Sequence, residues 1–158
     1  ADGAPIPTVD GALALPDTPM FLPFPTLPEA TCNEAYSTTI AATAGWPPYT
    51  WALLEDDLPP GFTLDNSSGE ISGTSAQHGE YLFRLAVTDD YNRTGTRWFS
   101  IVVGLPGDLD DDGDVDQSDL GVLLASYGLD AGGDCDGDGD TDQSDLGILL
   151  AHYGEQCS

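Results

Sequence analysis

Residues 79–104 read GEYLFRLAVTDDYNRTGTRWFSIVVG. Tyr81, Phe83, Leu85 and Val87 alternate with Leu82, Arg84, Ala86 and Thr88, and Phe99, Ile101 and Val103 alternate again within residues 98–103. A period of two sends successive side chains to opposite faces, the pattern of a half-buried strand. Between the two runs, Asp89-Asp90-Tyr91-Asn92 carries turn chemistry. Toward the N-terminus, further turn signals (Gly45-Trp46-Pro47-Pro48, Leu58-Pro59-Pro60-Gly61, Asn66-Ser67-Ser68-Gly69) separate further short runs. Several short strands at this spacing predict a β-sandwich over residues 29–105.

The motifs in this region occur in a recognisable order. Tyr36-Ser37-Thr38 comes first, then Pro47-Pro48-Tyr49-Thr50-Trp51 and Leu58-Pro59-Pro60-Gly61-Phe62-Thr63-Leu64-Asp65. Gly69-Glu70-Ile71-Ser72-Gly73-Thr74 and Ala86-Val87-Thr88-Asp89 complete the series. This run resembles the Ig-like, cadherin-related domain of bacterial surface and secreted proteins. The resemblance implies an Ig-like sandwich that acts as a spacer or adhesive module.

Residues 106–158 hold a tandem duplication. Residues 107–128 read GDLDDDGDVDQSDLGVLLASYG and residues 133–154 read GDCDGDGDTDQSDLGILLAHYG, identical at 17 of 22 aligned positions. So close an internal repeat is one supersecondary unit used twice. In the first unit Asp108, Asp110, Asp112, Asp116 and Asp119 stand at positions 1, 3, 5, 9 and 12 of an EF-hand-type loop, with Gly113 at the sharp turn and Asp114 at position 7. The second repeats this with Asp134, Asp136, Asp138, Asp142 and Asp145, with Gly139 and Asp140. Calcium takes six to eight hard oxygen donors, and this spacing supplies them; position 7 is expected to offer its backbone carbonyl. Two calcium ions are therefore expected. Magnesium, which demands a smaller octahedron and keeps its waters, fits poorly. Each loop leads into a short helix carrying Leu120, Leu123, Leu124 and Tyr127, or Leu146, Leu149, Leu150 and Tyr153. At helical spacing these stripes are expected to face each other as a small core, with Val115 and Thr141 pairing the loops backbone to backbone.

A loop ending in Asp rather than Glu, without a leading helix and duplicated, resembles a type I dockerin. That resemblance implies docking onto a cohesin-like partner in an extracellular complex, with loop positions 10 and 11 contributing to partner choice. Here those positions are Gln117-Ser118 and Gln143-Ser144, where the hydroxyl pair is commoner in the family. The connection at residues 128–133 is also shorter than the family's linker.

The 158 residues carry 28 Asp and Glu against 3 Arg and no Lys, a formal charge of −25. Residues 107–158 hold 15 of those acids and none of the arginines, so the expected calcium loops account for the uneven spread of charge along the chain. Such a surface excludes nucleic acid and anionic membrane, which need a basic face. No apolar run approaches the ~20 residues of a membrane span, and the absence of a signal peptide fits a mature exported chain. Cys32, Cys135 and Cys157 allow one disulfide and one leftover thiol in an oxidising compartment, or three free thiols. Spacing does not choose among the pairings; Cys135–Cys157 is the pair expected.

Residues 1–28 form a Pro-rich tail carrying Leu13, Leu15, Met20, Phe21, Leu22, Phe24 and Leu27. Proline density excludes helix and central strand, while this much apolar surface must dock, either on its own domain or on a neighbouring molecule. No catalytic constellation is visible. His78 lies in a polar turn, and His152 occupies a helix position where the sister repeat has Ser126. The clustered Asp residues read as metal ligands rather than a glycosidase acid–base pair. Trp46, Trp51 and Trp98 are expected to pack in strands or turns rather than form a sugar platform. The expected fold is mainly β with a small α C-terminal module. The expected protein is a secreted or cell-surface, non-enzymatic, calcium-stabilised structural subunit. It is expected to assemble with other copies through Leu13, Leu15, Phe21, Leu22 and Phe24, or alternatively to dock a cohesin-like protein or act in adhesion.

Overall fold

The computed structural model describes the backbone of Met20–Phe21 and residues 27–158. The strands are β1 (Met20–Phe21), β2 (Ala30–Thr31), β3 (Tyr36–Thr39), β4 (Ala42–Thr43), β5 (Thr50–Glu55), β6 (Phe62–Leu64), β7 (Glu70–Gly73), β8 (Gly79–Thr88) and β9 (Thr94–Gly104). Two helices follow, α1 (Gln117–Ser126) and α2 (Gln143–His152). The strands form a four-stranded sheet in the order β2-β9-β8-β5 and a three-stranded sheet in the order β3-β7-β6, with β1 paired to β4. The alternation read from residues 79–104 becomes the β8–β9 hairpin, paired from Gly79↔Val103 to Thr88↔Thr94.

Phe83, Leu85, Val87, Phe99, Ile101 and Val103 from this hairpin bury against Trp51, Phe62 and Ile71, while Leu82 and Trp98 face out. Tyr36 and Phe62 both oppose Gly73, and their rings stack across it at 5.1 Å. The hairpin corner is tied by Asp89, which is buried. It accepts the amides of Trp46, Tyr91 and Arg93 and pairs with the Arg93 guanidinium at 2.6 Å. At the β6–β7 turn Gly69 has φ +74°, and a Cβ there would lie 2.6 Å from the Trp51 ring. Glycine is required at this position both by the left-handed backbone and by the packing.

The helices begin with capping boxes: Asp116 and Asp142 are the N-caps, and Asp119 and Asp145 reach back as N3. Leu123 and Leu149 are fully buried, and Leu120 and Leu146 pack half-buried beside them. Leu124, Tyr127, Leu150 and Tyr153 stay exposed, so only part of each expected stripe is core. Two ten-residue helices bury one line of contact each, and a residue one step along a helix turns about 100° away from it. The loop pairing also differs from expectation. Val115 exchanges backbone bonds with Glu155 and Gly154, and Thr141 accepts from Gly128. Each position-8 residue therefore grips the chain leaving the other repeat's helix, which keeps the pseudo-twofold relation without joining Val115 to Thr141.

The last residues form a strip between the repeats and the sandwich. Cys157 N–H donates to Gly113 O, Ser158 N–H to Ala76 O, and His78 N–H to Ser158 O. Asn33 Nδ2 donates to Gln156 O at 3.1 Å. The strip ends in a disulfide from Cys157 to Cys32, with a Cα–Cα distance of 6.0 Å. The expected Cys135–Cys157 pair is therefore replaced by Cys32–Cys157, and Cys135 is free. The strip carries Cys157 onto the sandwich, whereas Cys135 is held in the second acidic loop by its own N–H bond to Asp145.

Candidate metal centre

The two acidic loops have nearly the same internal wiring, because each places its carboxylates opposite its own backbone amides. In the first loop Asp108 accepts the amides of Asp112 and Gly113 through its two oxygens, at 3.2 and 3.1 Å. In the second, Asp134 accepts from Gly137 and Gly139 at 2.6 and 2.9 Å. Asp119 accepts from Leu109 and Asp110 with Oδ1 and from Asp116 with Oδ2. Asp145 does the same with Cys135, Asp136 and Asp142. These two position-12 carboxylates are 0 % and 1 % exposed, so the module buries two acids where its sequence has no Lys or Arg.

Each buried carboxylate is the hub of two clusters. Asp119 joins Asp108 and Asp110 on one side and Asp114 and Asp116 on the other; Asp145 joins Asp134 and Asp136, then Asp140 and Asp142. Within each cluster the oxygens lie within 4.8 Å of one another. Two calcium–oxygen bonds of about 2.4 Å span about that distance, so one ion could touch every member of a cluster. Asp114 and Asp140 were expected to offer backbone carbonyls; here their carboxylates also converge on the hub. Asp112 and Asp138 stand outside the clusters, each accepting the amide two residues on.

The electrostatics fit a cation. Burial and then the neighbouring carboxylates push Asp108, Asp110, Asp114 and Asp136 above the ordinary aspartate range. Asp138 does the most to raise Asp140. Asp145 goes the other way, lowered by the amides of Asp142 and Cys135. Asp114 Oδ1 is buried without a hydrogen-bond partner, an acceptor that a metal ion would satisfy. The donor set is all hard oxygen, which suits hard cations such as calcium, magnesium or manganese over the softer-ligand metals. Beside it, burial and Asp145 push the free Cys135 thiol up to about 11, which makes it a poor nucleophile.

Of the other expected contact residues, Gln117, Ser118, Gln143 and Ser144 are exposed on the first turns of α1 and α2. Phe21 lies in β1, its backbone paired with Ala42; Leu13, Leu15, Leu22 and Phe24 lie outside the described residues. His152 pairs with Glu155 at 3.0 Å, Trp51 is core, and Trp46 and Trp98 are exposed. The C-terminal strip had escaped the sequence reading. Its only signal is Cys157, and a lone cysteine does not say where it will land.

The family described as "Putative Ig domain" matches residues 18–104. No curated protein matches the chain. Among solved structures, a candidate alpha-galactosidase/melibiase from Bacteroides fragilis is 26 % identical, with a TM-score of 0.48, over 54 % of this chain and 17 % of that one. The Protocadherin GammaB4 extracellular domain is 19 % identical, with a TM-score of 0.49, over 64 % of this chain and 21 % of that one. Protocadherin Gamma B2 cadherin domains 3–6 are 20 % identical, with a TM-score of 0.43, over 54 % and 22 %. The chain spans about a fifth of the length of these structures.

Proposed function

The chain belongs to the Putative Ig domain family, and from that premise we propose that it is a non-enzymatic, extracellular structural subunit with a dockerin-like pair of EF-hand-type loops that hold two calcium ions. The observation that carries the calcium reading is the buried hub carboxylate of each loop, Asp119 or Asp145, ringed by four further aspartates with no Lys or Arg in residues 107–158 to compensate them. Bound calcium would supply the missing positive charge and lock each loop. Because Gly113 of the first loop accepts from Cys157, locking that loop would also hold the repeats against the sandwich. The Cys32–Cys157 disulfide suits an oxidising, extracellular setting, where calcium is also plentiful.

Native mass spectrometry or calorimetry on the full chain tests the ion count. Two calcium ions are expected for the native chain, one for Asp119→Ala or Asp145→Ala, and none for the double variant. A native chain that takes up no calcium at millimolar concentration would sink this reading. The assembly role, in which the subunit polymerises through its N-terminal segment and sandwich, is tested by light scattering in calcium and after chelation. Large species in calcium support it, and a monomer in both conditions removes it.

A second reading is favoured by the matched exposure of Leu124, Tyr127, Leu150 and Tyr153, at 57, 42, 55 and 48 %. Two symmetry-related apolar patches suit docking of a cohesin-like partner beside Gln117-Ser118 and Gln143-Ser144. If replacing those four polar residues leaves every interaction intact, the docking reading fails.

A further inference from the structure

The two acidic loops are near copies in sequence, yet the rest of the chain holds them differently at positions 6 to 8. In the first loop these are Gly113, Asp114 and Val115, and residues 154–158 run antiparallel along them as a strip. Gly154 N–H donates to Val115 O at 2.7 Å, Val115 N–H to Glu155 O at 3.0 Å and Cys157 N–H to Gly113 O at 2.7 Å, around an Asp114↔Gln156 bridge. The other edge of the strip is held by the sandwich. Ser158 N–H donates to Ala76 O and His78 N–H to Ser158 O, in the connection from β7 to β8, and the Asn33 side chain donates to Gln156 O. The Cys32–Cys157 disulfide fastens the strip covalently, just beyond β2.

In the second loop positions 6 to 8 are Gly139, Asp140 and Thr141. The counterpart of the strip is residues 128–131, which are exposed and make only the first of those bonds among the described residues, Gly128 N–H to Thr141 O at 2.8 Å. The Thr141 hydroxyl adds bonds to Asp130 O and Gly133 N–H, which hold position 8 alone. A Cβ placed on Gly113 would lie 2.6 Å from Cys157 O and 2.9 Å from His78 Nε2, whereas one on Gly139 would meet nothing within 4 Å. Gly113 is accordingly buried and Asp114 half-buried, while Gly139 and Asp140 are both exposed. Asp114 and Asp140 are members of the carboxylate clusters, so this difference falls on candidate ligands.

We propose that the strip is a clamp that orders the first calcium loop in advance and makes it the tighter of the two sites. Cys32, Asn33 and Cys157 are then positioning residues for an ion they do not touch. The proposal rests on the calcium reading above and ranks its two sites. An unclamped loop must fix the backbone of positions 6 and 7 at the moment of binding, and that ordering is subtracted from its affinity. One residue's backbone held beforehand is worth about tenfold. Linkage makes the coupling reciprocal: filling the first loop holds the strip, and through it the repeats, against the sandwich by the same factor. The pair thus responds in two steps, the first securing the junction and the second closing only its own loop.

Backbone amide NMR of the isotope-labelled full chain, titrated with chelator-buffered calcium, tests this. It reads the loops one by one, because Gly113 and Gly139 each donate to the position-1 aspartate of their own loop. The Gly113 signal is expected to complete its change at about tenfold lower calcium than that of Gly139. Cys32→Ser with Cys157→Ser is expected to move Gly113 about tenfold toward higher calcium and to leave Gly139 in place. If that variant loses its folded spectrum, Asn33→Gly carries the test. It removes the bond to Gln156 at an exposed position of φ +62°, which glycine adopts, and is expected to shift Gly113 a few-fold the same way. Asp111→Gly, which gives position 4 the glycine of the second loop, is expected to keep the order. Equal midpoints in the native chain, an order that survives loss of the disulfide, or an order that Asp111→Gly abolishes overturns the clamp and leaves the calcium reading standing. A chain in which neither glycine responds to millimolar calcium overturns the calcium reading, and the clamp with it.

Discussion

Replacing Cys157 with serine removes a cross-link between residues 125 apart in sequence. In the loop-closure account a disulfide restricts the unfolded chain by a constant plus (3/2)R ln n, which for this separation comes to about 16 cal/mol/K, or about 5 kcal/mol at 25 °C. That is the upper end of the range for native disulfides, and at least about a third of the stability of an ordinary domain. Both half-cystines are nearly buried, Cys32 at 2 % and Cys157 at 4 % exposed, so a serine pair also leaves hydroxyls in a dry site. The assay is urea unfolding in calcium, followed by tryptophan fluorescence. At a slope of about 2 kcal/mol/M, Cys157→Ser is expected to lower the midpoint by about 2.5 M. Cys32→Ser should match it, and the double variant should lose no more than either alone. Cys135→Ser should sit close to the native chain. A Cys135→Ser variant that loses the most, with a Cys135–Cys157 peptide in the native digest, would refute the pairing. A Cys157→Ser loss under about 1 kcal/mol would refute the loop-closure reasoning.

Three further outcomes are expected. Gly69→Ala combines a left-handed backbone with a Cβ 2.6 Å from the Trp51 ring and 2.7 Å from the Ile40 carbonyl. It should cost about 2–6 kcal/mol from strain and overpacking together, against a small change for Gly104→Ala, where a Cβ meets nothing within 4 Å; urea midpoints decide it. Leu123→Ala, at a fully buried position, should cost about 2–5 kcal/mol, and Leu124→Ala, 57 % exposed, no more than about 0.5 kcal/mol; equal losses would contradict the helix orientation. With a chelator present, Asp108, Asp110, Asp114, Asp136 and Asp140 hold protons more tightly folded than unfolded. Their contribution is present at low pH and is lost as pH rises through their raised values, so the melting temperature should climb as pH falls from 7 toward about 4. Asp65 and Asp89, held down to about 2, have the opposite sign and should lower stability between about pH 4 and pH 2. A chelated protein whose melting temperature falls steadily from pH 7 to 4 would contradict the crowding of the loops.

Local chemistry was legible from the residues alone. A period of two in residues 81–87 and 99–103 can satisfy its apolar side chains in only one way, by turning one face of a hairpin inward, and that hairpin is the centre of the core. Spacing brought the aspartates of positions 1, 3, 9 and 12 together within each short loop, whereas Asp112 and Asp138 at position 5 stand outside the clusters and Asp114 and Asp140 at position 7 join by their carboxylates. Contacts between distant segments were not legible. Whether Cys157 meets Cys32 or Cys135 depends on where the strip after α2 is carried, and that is set by the bonds of Gly113, Ala76 and His78 to residues 157–158. The same holds for Leu53. Its exposure follows from the sheet order, which ends at β5. Side-chain periodicity is a property of a segment, whereas pairing and coverage belong to the arrangement of segments, and only the tertiary structure decides those.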